Sequence, residues 1–166
     1  KRALSSIILI PLAFYFVING SYMLMFFTFI CFLVACYEWH MMTKKKIFKI
    51  YGFLFLIFSF ITFYILSLEI FLVVFVILIC ISTDIGGYVF GKIFKGPKLT
   101  KISPKKTYAG MIGGYFLSLI CLATITSWID YPHIPIQFFI ITITISTVSQ
   151  IGDITISYFK RLSKIK

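Results

Sequence analysis

The feature that most constrains this chain is a succession of long apolar runs. They read from about Ala3 to Ile18, Tyr22 to Tyr37, Ile50 to Leu66, Ile70 to Ser82, Gly110 to Ser127 and Ile134 to Ile151. The breaks between them are polar. They are Asn19-Gly20-Ser21, a basic stretch with Lys44, Lys45, Lys46 and Lys49, the turn Ser67-Leu68-Glu69, a loop from about Lys92 to Thr107, and Asp130-Tyr131-Pro132-His133-Ile134-Pro135. Spanning the hydrocarbon of a bilayer takes about 20 apolar residues in a helix. The first two runs are short for this and are expected to form a hairpin with its ends in the interface. The first is not read as a signal peptide, because no small-residue cleavage site precedes Asn19 and another apolar run follows at once. A transmembrane barrel would alternate apolar and polar residues, and these runs do not. The expected fold is an all-α polytopic transmembrane bundle of about six spans. Residues 1–82 hold the N-terminal membrane helices, and residues 83–166 hold the C-terminal ones with the polar loop, in one membrane domain overall.

Composition agrees. The chain is 60% hydrophobic and only 13% charged, with a mean hydropathy of +1.03. Soluble domains run at about half apolar and about a quarter charged. The net charge of +11 would suggest nucleic acid in a soluble protein. Here the absence of an aromatic-studded soluble face argues against that, and basic residues flanking membrane spans account for it. Cys31, Cys36, Cys80 and Cys121 lie inside apolar runs with no CxxC spacing, and read as small buried hydrophobes. His40 and His133 are isolated and read as interfacial polar residues.

The basic residues also give a topology. With six spans, one side carries the N-terminus, residues 40–49, residues 83–108 and the C-terminus. Their Lys and Arg counts are 2, 4, 6 and 4, which is all 16 in the chain. The positive-inside bias then places both termini and both basic loops in the cytoplasm. The expected setting is the inner (cytoplasmic) membrane, with the functional face cytoplasmic.

Five acids remain to be explained. Glu69 and Asp130 fall in the outer turns, and Glu38 near the cytoplasmic end of the second span reads as a helix-end residue. Asp84 and Asp153 lie at the cytoplasmic ends of the fourth and sixth spans, where ionisable groups need a reason. Asp84, Gly87, Tyr88 and Gly91 share one helical face. Either the small residues admit a ligand, or they serve a helix contact that Asp84 merely caps. Asp153, Ser157, Lys160, Arg161 and Lys164 form a similar face. A carboxylate followed by a hydroxyl and cations suits a metal-bound phosphate. A juxtamembrane basic helix on anionic lipid is the alternative.

The stretch Ile102-Ser103-Pro104-Lys105-Lys106-Thr107-Tyr108-Ala109-Gly110-Met111-Ile112-Gly113-Gly114 interrupts the apolar pattern. Ser103 suits an N-cap and Pro104 the first helical position, so the fifth helix is expected to start there. Free N–H groups at that end favour an anion. Lys105 and Lys106 oppose the helix dipole, which makes most sense if an anion lies between them.

Three blocks together resemble the phosphatidate cytidylyltransferases, or CDP-diacylglycerol synthases. They are Asp84 to Gly96 (DIGGYVFGKIFKG), Ile102 to Gly114 (ISPKKTYAGMIGG) and Ser149 to Arg161 (SQIGDITISYFKR), and they cover roughly residues 82–161. The resemblance implies attack of phosphatidic acid on the α-phosphate of CTP, giving CDP-diacylglycerol and pyrophosphate, with Mg²⁺ as cofactor. It implies metal binding by Asp153 and Asp84, phosphate binding by Lys105, Lys106, Lys160 and Arg161, and hydrogen bonds from Ser103, Thr107 and Ser157. Tyr88 joins the substrate-binding set. Asp153, Lys160 and Arg161 stand as the catalytic candidates, CTP and membrane lipid as partners, and a second copy of the chain as a further candidate partner.

Two departures from the family pattern stand out. Ala109 replaces the usual Glu. The family's further block of metal carboxylates is not in this sequence, so the 166 residues alone are expected to fold in the membrane yet to show little or no transferase activity. Competing readings are an inactive relative or non-catalytic lipid-binding membrane protein, and a small transporter. The transporter ranks last because no internal repeat or midplane polar set is visible.

Overall fold

The computed structural model describes residues 11–12, 15–18, 21–43, 46–100, 103, 106–128 and 136–162. Among these it is helical, with one isolated antiparallel bridge between Lys98 and Thr107. Five helices are long and apolar enough to cross a membrane. They are α1 (Ser21–Met42), α2 (Lys46–Leu66), α3 (Ile70–Phe94), α4 (Tyr108–Trp128) and α5 (Ile136–Leu162). Residues 11–12 and 15–18 are also helical; the rest of the expected first span lies outside the described residues, as do the turns at Asn19-Gly20 and at Asp130 to Pro135. The described residues thus belong to the all-helical membrane protein that the apolar runs predict, with helices as the regular structure.

The chain divides into two compact units, Lys1–Val74 and Phe75–Lys166. In the first, α1 and α2 lie antiparallel. Phe32 near the middle of α1 meets Phe60 of α2 with ring centroids 5.0 Å apart. Further along α1, the Trp39 indole N–H donates to the Phe48 carbonyl at 3.3 Å. The Trp39 ring fills the space where a side chain on Gly52 would stand. Thr43 closes α1, its N–H and hydroxyl both donating to the Trp39 carbonyl, at 3.1 Å and 2.6 Å.

The second unit holds the rest of α3 with α4 and α5. Phe75, Ile79 and Leu122 form its apolar core, with Phe138 edge-on to Phe75 at 5.8 Å. Towards the other end the contact changes character, because α3 and α4 meet through glycine. A Cβ on Gly110 would stand 2.6 Å from the Gly87 carbonyl oxygen, so the backbones themselves touch. Gly87 and Gly91 of this small-residue face both stand against Gly110 of α4, so a helix contact forms here.

Two sequence expectations are corrected. First, the fifth span does not begin at Ser103, and Pro104 lies outside the described residues. Helix α4 begins at Tyr108 with Thr107 as its N-cap: the Thr107 hydroxyl accepts from Gly110 N–H at 3.1 Å, and its carbonyl accepts from Met111 N–H at 3.0 Å. The chain before it is pinned as a loop. Leu99 N–H donates to the Lys106 carbonyl (2.8 Å), Tyr108 N–H to Pro97 (3.1 Å), and Lys106 N–H to Ser103 (3.0 Å). Ser103 N–H goes to the Thr100 hydroxyl at 3.1 Å. These cross-loop bonds occupy the groups a helix from Pro104 would need.

Second, Asp84 and Asp153 are not at helix ends. Helix α3 runs on to Phe94, where Lys95 and Gly96 take positive φ (53° and 25°) and turn the chain. Helix α5 runs unbroken from its apolar part into its amphipathic end at Leu162. Backbone bonding continues through polar residues as readily as through apolar ones, so hydropathy alone places both ends too early. Asp84 therefore does not cap α3.

Candidate functional site

One cavity of about 230 Å³ draws the candidate residues together. Its wall takes Thr83, Asp84, Gly87 and Tyr88 from α3, and Leu99, Lys106 and Thr107 from the loop. Gly110 and Met111 of α4 and Gln150 and Asp153 of α5 complete it. The two carboxylates come from helices far apart in sequence and face the same space, with the capped N-terminus of α4 at its edge. The positive end of the helix dipole suits that edge to an anion, although Tyr108 N–H and Gly110 N–H there are already bonded to the Pro97 carbonyl and the Thr107 hydroxyl.

Lys106 is the hinge of the electrostatics. Its ammonium donates to Asp153 Oδ2 at 2.9 Å and more weakly to the Gln150 main-chain carbonyl at 3.5 Å. The loop bonds around Leu99 and Tyr108 hold Lys106 close enough to reach across. The lysine side chain is 28% exposed and the aspartate 59%. A pair this solvated contributes about 0–1 kcal/mol, so it can open when a polyanion and its cation arrive. The oxygens that hold the ammonium show that this corner of the cavity accepts a cation. Two carboxylates and a carbonyl are the hard oxygen donors a divalent ion such as Mg²⁺ uses. Among the described residues no group of three acidic, His or Cys side chains stands close enough to bind a metal by itself. A metal here would complete its shell with water and substrate phosphate.

The supporting contacts run along α3, α4 and α5. Thr83 Oγ1 donates to the Ile79 carbonyl at 2.8 Å and can accept from Ser146 Oγ, 3.1 Å away, both contacts buried. The Gln150 amide nitrogen reaches the Met111 carbonyl at 3.4 Å and Ser146 Oγ at 3.5 Å. Tyr115 and Thr147 share a hydroxyl contact at 2.9 Å. These side-chain bonds fix α5 against its neighbours about one to two turns before Asp153.

The sequence candidates divide accordingly. Asp84, Tyr88, Lys106, Thr107 and Asp153 meet at the cavity. Ser157 is not in its wall, and its hydroxyl donates to the Asp153 carbonyl of its own helix at 2.7 Å. Lys160 and Arg161 lie exposed in the last turn of α5, about 10–12 Å further along the axis. Ser103 belongs to the loop turn rather than to the cavity wall. Lys105 lies outside the described residues.

Gln150, Thr83, Leu99 and Met111 were not anticipated. For Gln150 a signal existed: Ser146, Gln150, Asp153 and Ser157 recur at i, i+4, i+7 and i+11, a polar face on an otherwise apolar helix. Leu99 and Met111 carry no such signal.

Comparison with known proteins matches the description "cytidylyltransferase family" to residues 66–166. The phosphatidate cytidylyltransferase of Rickettsia typhi is 43% identical over 93 residues, covering 51% of this chain and 40% of that protein. That of Rickettsia conorii is 41% identical over 93 residues, with the same coverage. That of Staphylococcus saprophyticus is 37% identical over 95 residues, covering 57% of this chain and 36% of its own length. The chain thus spans about two fifths of the length of the curated relatives it matches. No solved structure matches it. Every residue lining the cavity falls within the matched segment, and on that segment the chain belongs to the cytidylyltransferase family.

Proposed function

We propose that the cavity is a nucleotidyl-transfer site, taking CTP and phosphatidic acid to CDP-diacylglycerol and pyrophosphate. The observation that carries it is the convergence of Asp84, Asp153 and Lys106 on one space beside the Thr107-capped helix end, in a chain of this family. In the reaction an oxygen of the lipid phosphomonoester forms a bond to the α-phosphorus. The bond from that phosphorus to the β-bridging oxygen breaks, and pyrophosphate leaves with the electron pair. Such transfers depend mainly on positioning and charge stabilisation.

The residues present divide that work. Asp153 and Asp84 would hold Mg²⁺, which when bound supplies charge neutralisation between the phosphates. Lys106, released from Asp153, is a flexible point charge for a phosphate oxygen. The N-terminal end of α4, capped by Thr107, brings the positive end of its helix dipole to the same space. Gln150, tied to Met111 and Ser146, keeps α5 and its Asp153 in register. Lys160 and Arg161 are a second cationic group further along α5, suited to the far end of a polyphosphate or to lipid headgroups. The one-sided placement of all 16 basic residues supports a cytoplasmic active face in an inner membrane.

The test is direct. The chain is purified in detergent or nanodiscs, given phosphatidic acid, Mg²⁺ and CTP labelled at the α-phosphate, and label is followed into lipid. Lipid-borne CMP that is lost in Asp153→Asn and Lys106→Met supports the reading. CTP binding unaffected by either substitution overturns it, whatever the turnover.

A further inference from the structure

The exposed stripe on α3 next to the cavity has a composition that calls for an occupant. Ile81, Ile85, Tyr88 and Lys92 recur at i, i+4, i+7 and i+11, so they lie in one line along the helix. Ile81, Ile85 and Tyr88 are 41%, 49% and 68% exposed, and Lys92 is exposed too. The stripe is graded: two aliphatic side chains come first, then a phenol, then a cation in the last turn of the helix. The Lys92 ammonium lies over the Tyr88 ring, 5.7 Å from its centre, which holds the charge towards the phenol rather than free in solvent. Tyr88 also lines the cavity with Asp84. The line therefore joins the membrane-facing surface of α3 to the mouth of the site.

We infer that this stripe is the docking lane of the lipid substrate, with Lys92 and Tyr88 as the subsite for its phosphomonoester head. This rests on the reading of the cavity as a cytidylyl-transfer site and names where on this chain the lipid waits. Dimensions and charge both fit. Eleven residues of helix span about 16 Å, close to one leaflet of a hydrocarbon core about 30 Å thick. An acyl chain along Ile81 and Ile85 puts its head level with Lys92, where a doubly charged phosphate meets a cation that no carboxylate among the described residues neutralises. Lys106, by contrast, is held by Asp153 inside the cavity. The two lysines thus divide two anions: Lys92 takes the lipid phosphate at the mouth, and Lys106 the nucleotide phosphates within. Tyr88, shared by stripe and cavity, stands where the two substrates must meet.

The experiment uses the whole chain carrying Ile85→Trp in phosphatidylcholine nanodiscs, with the fluorescence of Trp39 and Trp128 subtracted using the parent chain. Phosphatidic acid and phosphatidylcholine with brominated acyl chains are compared as quenchers at equal mole fraction. Brominated phosphatidic acid is expected to quench more strongly. Lys92→Gln should remove that preference and weaken phosphatidic acid binding about five- to tenfold, while Lys92→Arg retains it. A chain carrying Ile140→Trp, on the exposed side of α5, should show no preference. CTP, titrated in neutral nanodiscs, should bind the Lys92→Gln chain as it binds the parent. Equal quenching by the two lipids at residue 85 overturns the inference, and so does a preference that survives Lys92→Gln. An equal loss of CTP binding in Lys92→Gln also overturns it, by assigning Lys92 to the nucleotide. Failure of the proposed function is separable: Lys92-dependent lipid binding in a chain that never binds CTP sinks the transfer reading and leaves the lipid lane standing.

Discussion

At the residue scale the ion pair between Lys106 and Asp153 decides most of the site's behaviour. Asp153→Asn keeps the shape and removes the charge. It leaves Lys106 without its carboxylate and the cavity with only Asp84 to hold a cation. Metal-dependent CTP binding, followed by calorimetry with and without Mg²⁺, is expected to fall by at least about tenfold, or about 1.4 kcal/mol. Binding equal to the parent's would remove Asp153 from the metal role. A second residue carries an independent expectation. Thr142 is wholly buried, and its hydroxyl has no hydrogen-bond partner among the described residues. Burying an unpaired hydroxyl costs about 1–3 kcal/mol, so Thr142→Val, nearly the same shape, should be neutral or raise the thermal midpoint in detergent. A clear drop would mean that the hydroxyl has a partner after all. Legibility also varied residue by residue. Asp84 and Asp153 could be found because a carboxylate beside an apolar run demands a reason. Gln150 has no charge to flag it, and Thr83 is one more hydroxyl in a chain that bonds many of them to their own helix. Lys106 was legible as a cation, but its partner was not, since sequence spacing says nothing of a contact across 47 positions.

At the element scale the glycine seam between α3 and α4 is what lets the cavity exist. Gly110 faces the Gly87 carbonyl so closely that a methyl group would stand 2.6 Å from it. Gly110→Ala must therefore push the helices apart, and overpacking of this kind costs about 1–3 kcal/mol. Gly152 of α5 has nothing within 4 Å of where its Cβ would be, so Gly152→Ala should stabilise by up to about 1 kcal/mol through helix propensity. Thermal unfolding of the two variants should move in opposite directions; a common direction would contradict the packing. Helix boundaries show how sequence signals compete. Ser103-Pro104 has the composition of a helix start, yet Thr107 takes the cap because the preceding backbone is already bonded across the loop to Leu99 and Pro97. Local propensity favours a start at either place, and the pairing that decides is non-local. The spans themselves were legible because 18 or so apolar residues in water have no other use, whereas the extensions to Phe94 and Leu162 were not, because hydropathy falls before the helix does.

At the scale of the whole molecule the distribution of charge sets the expected orientation. With six spans, every Lys and Arg would fall on one side, and the positive-inside bias would then place the loop that carries Lys106 in the cytoplasm. A cysteine placed at Lys45, with the four native cysteines replaced, should react with an impermeant maleimide only after the cells are permeabilised. One placed at Glu69 should react in sealed cells. The reverse pattern would invert the topology and put the site on the wrong side for a nucleotide.

The glycine seam has a mechanical consequence. Two helices in backbone contact have no side chains between them to yield, so near the cavity α3 and α4 move as one stiff body. Helix α5 joins them through side chains instead: Phe138 and Ile145 pack on the core of Phe75, Ile79 and Leu122, and nearer the cavity Thr83 meets Ser146 and Gln150 meets Met111. The jaw of the site is therefore asymmetric. One side is an anvil carrying Asp84, Tyr88 and the cap of α4, and the other is a lever carrying Asp153. Asp84 thus stands on a backbone seam, while Asp153 reaches the site through side-chain packing and through its pair with Lys106.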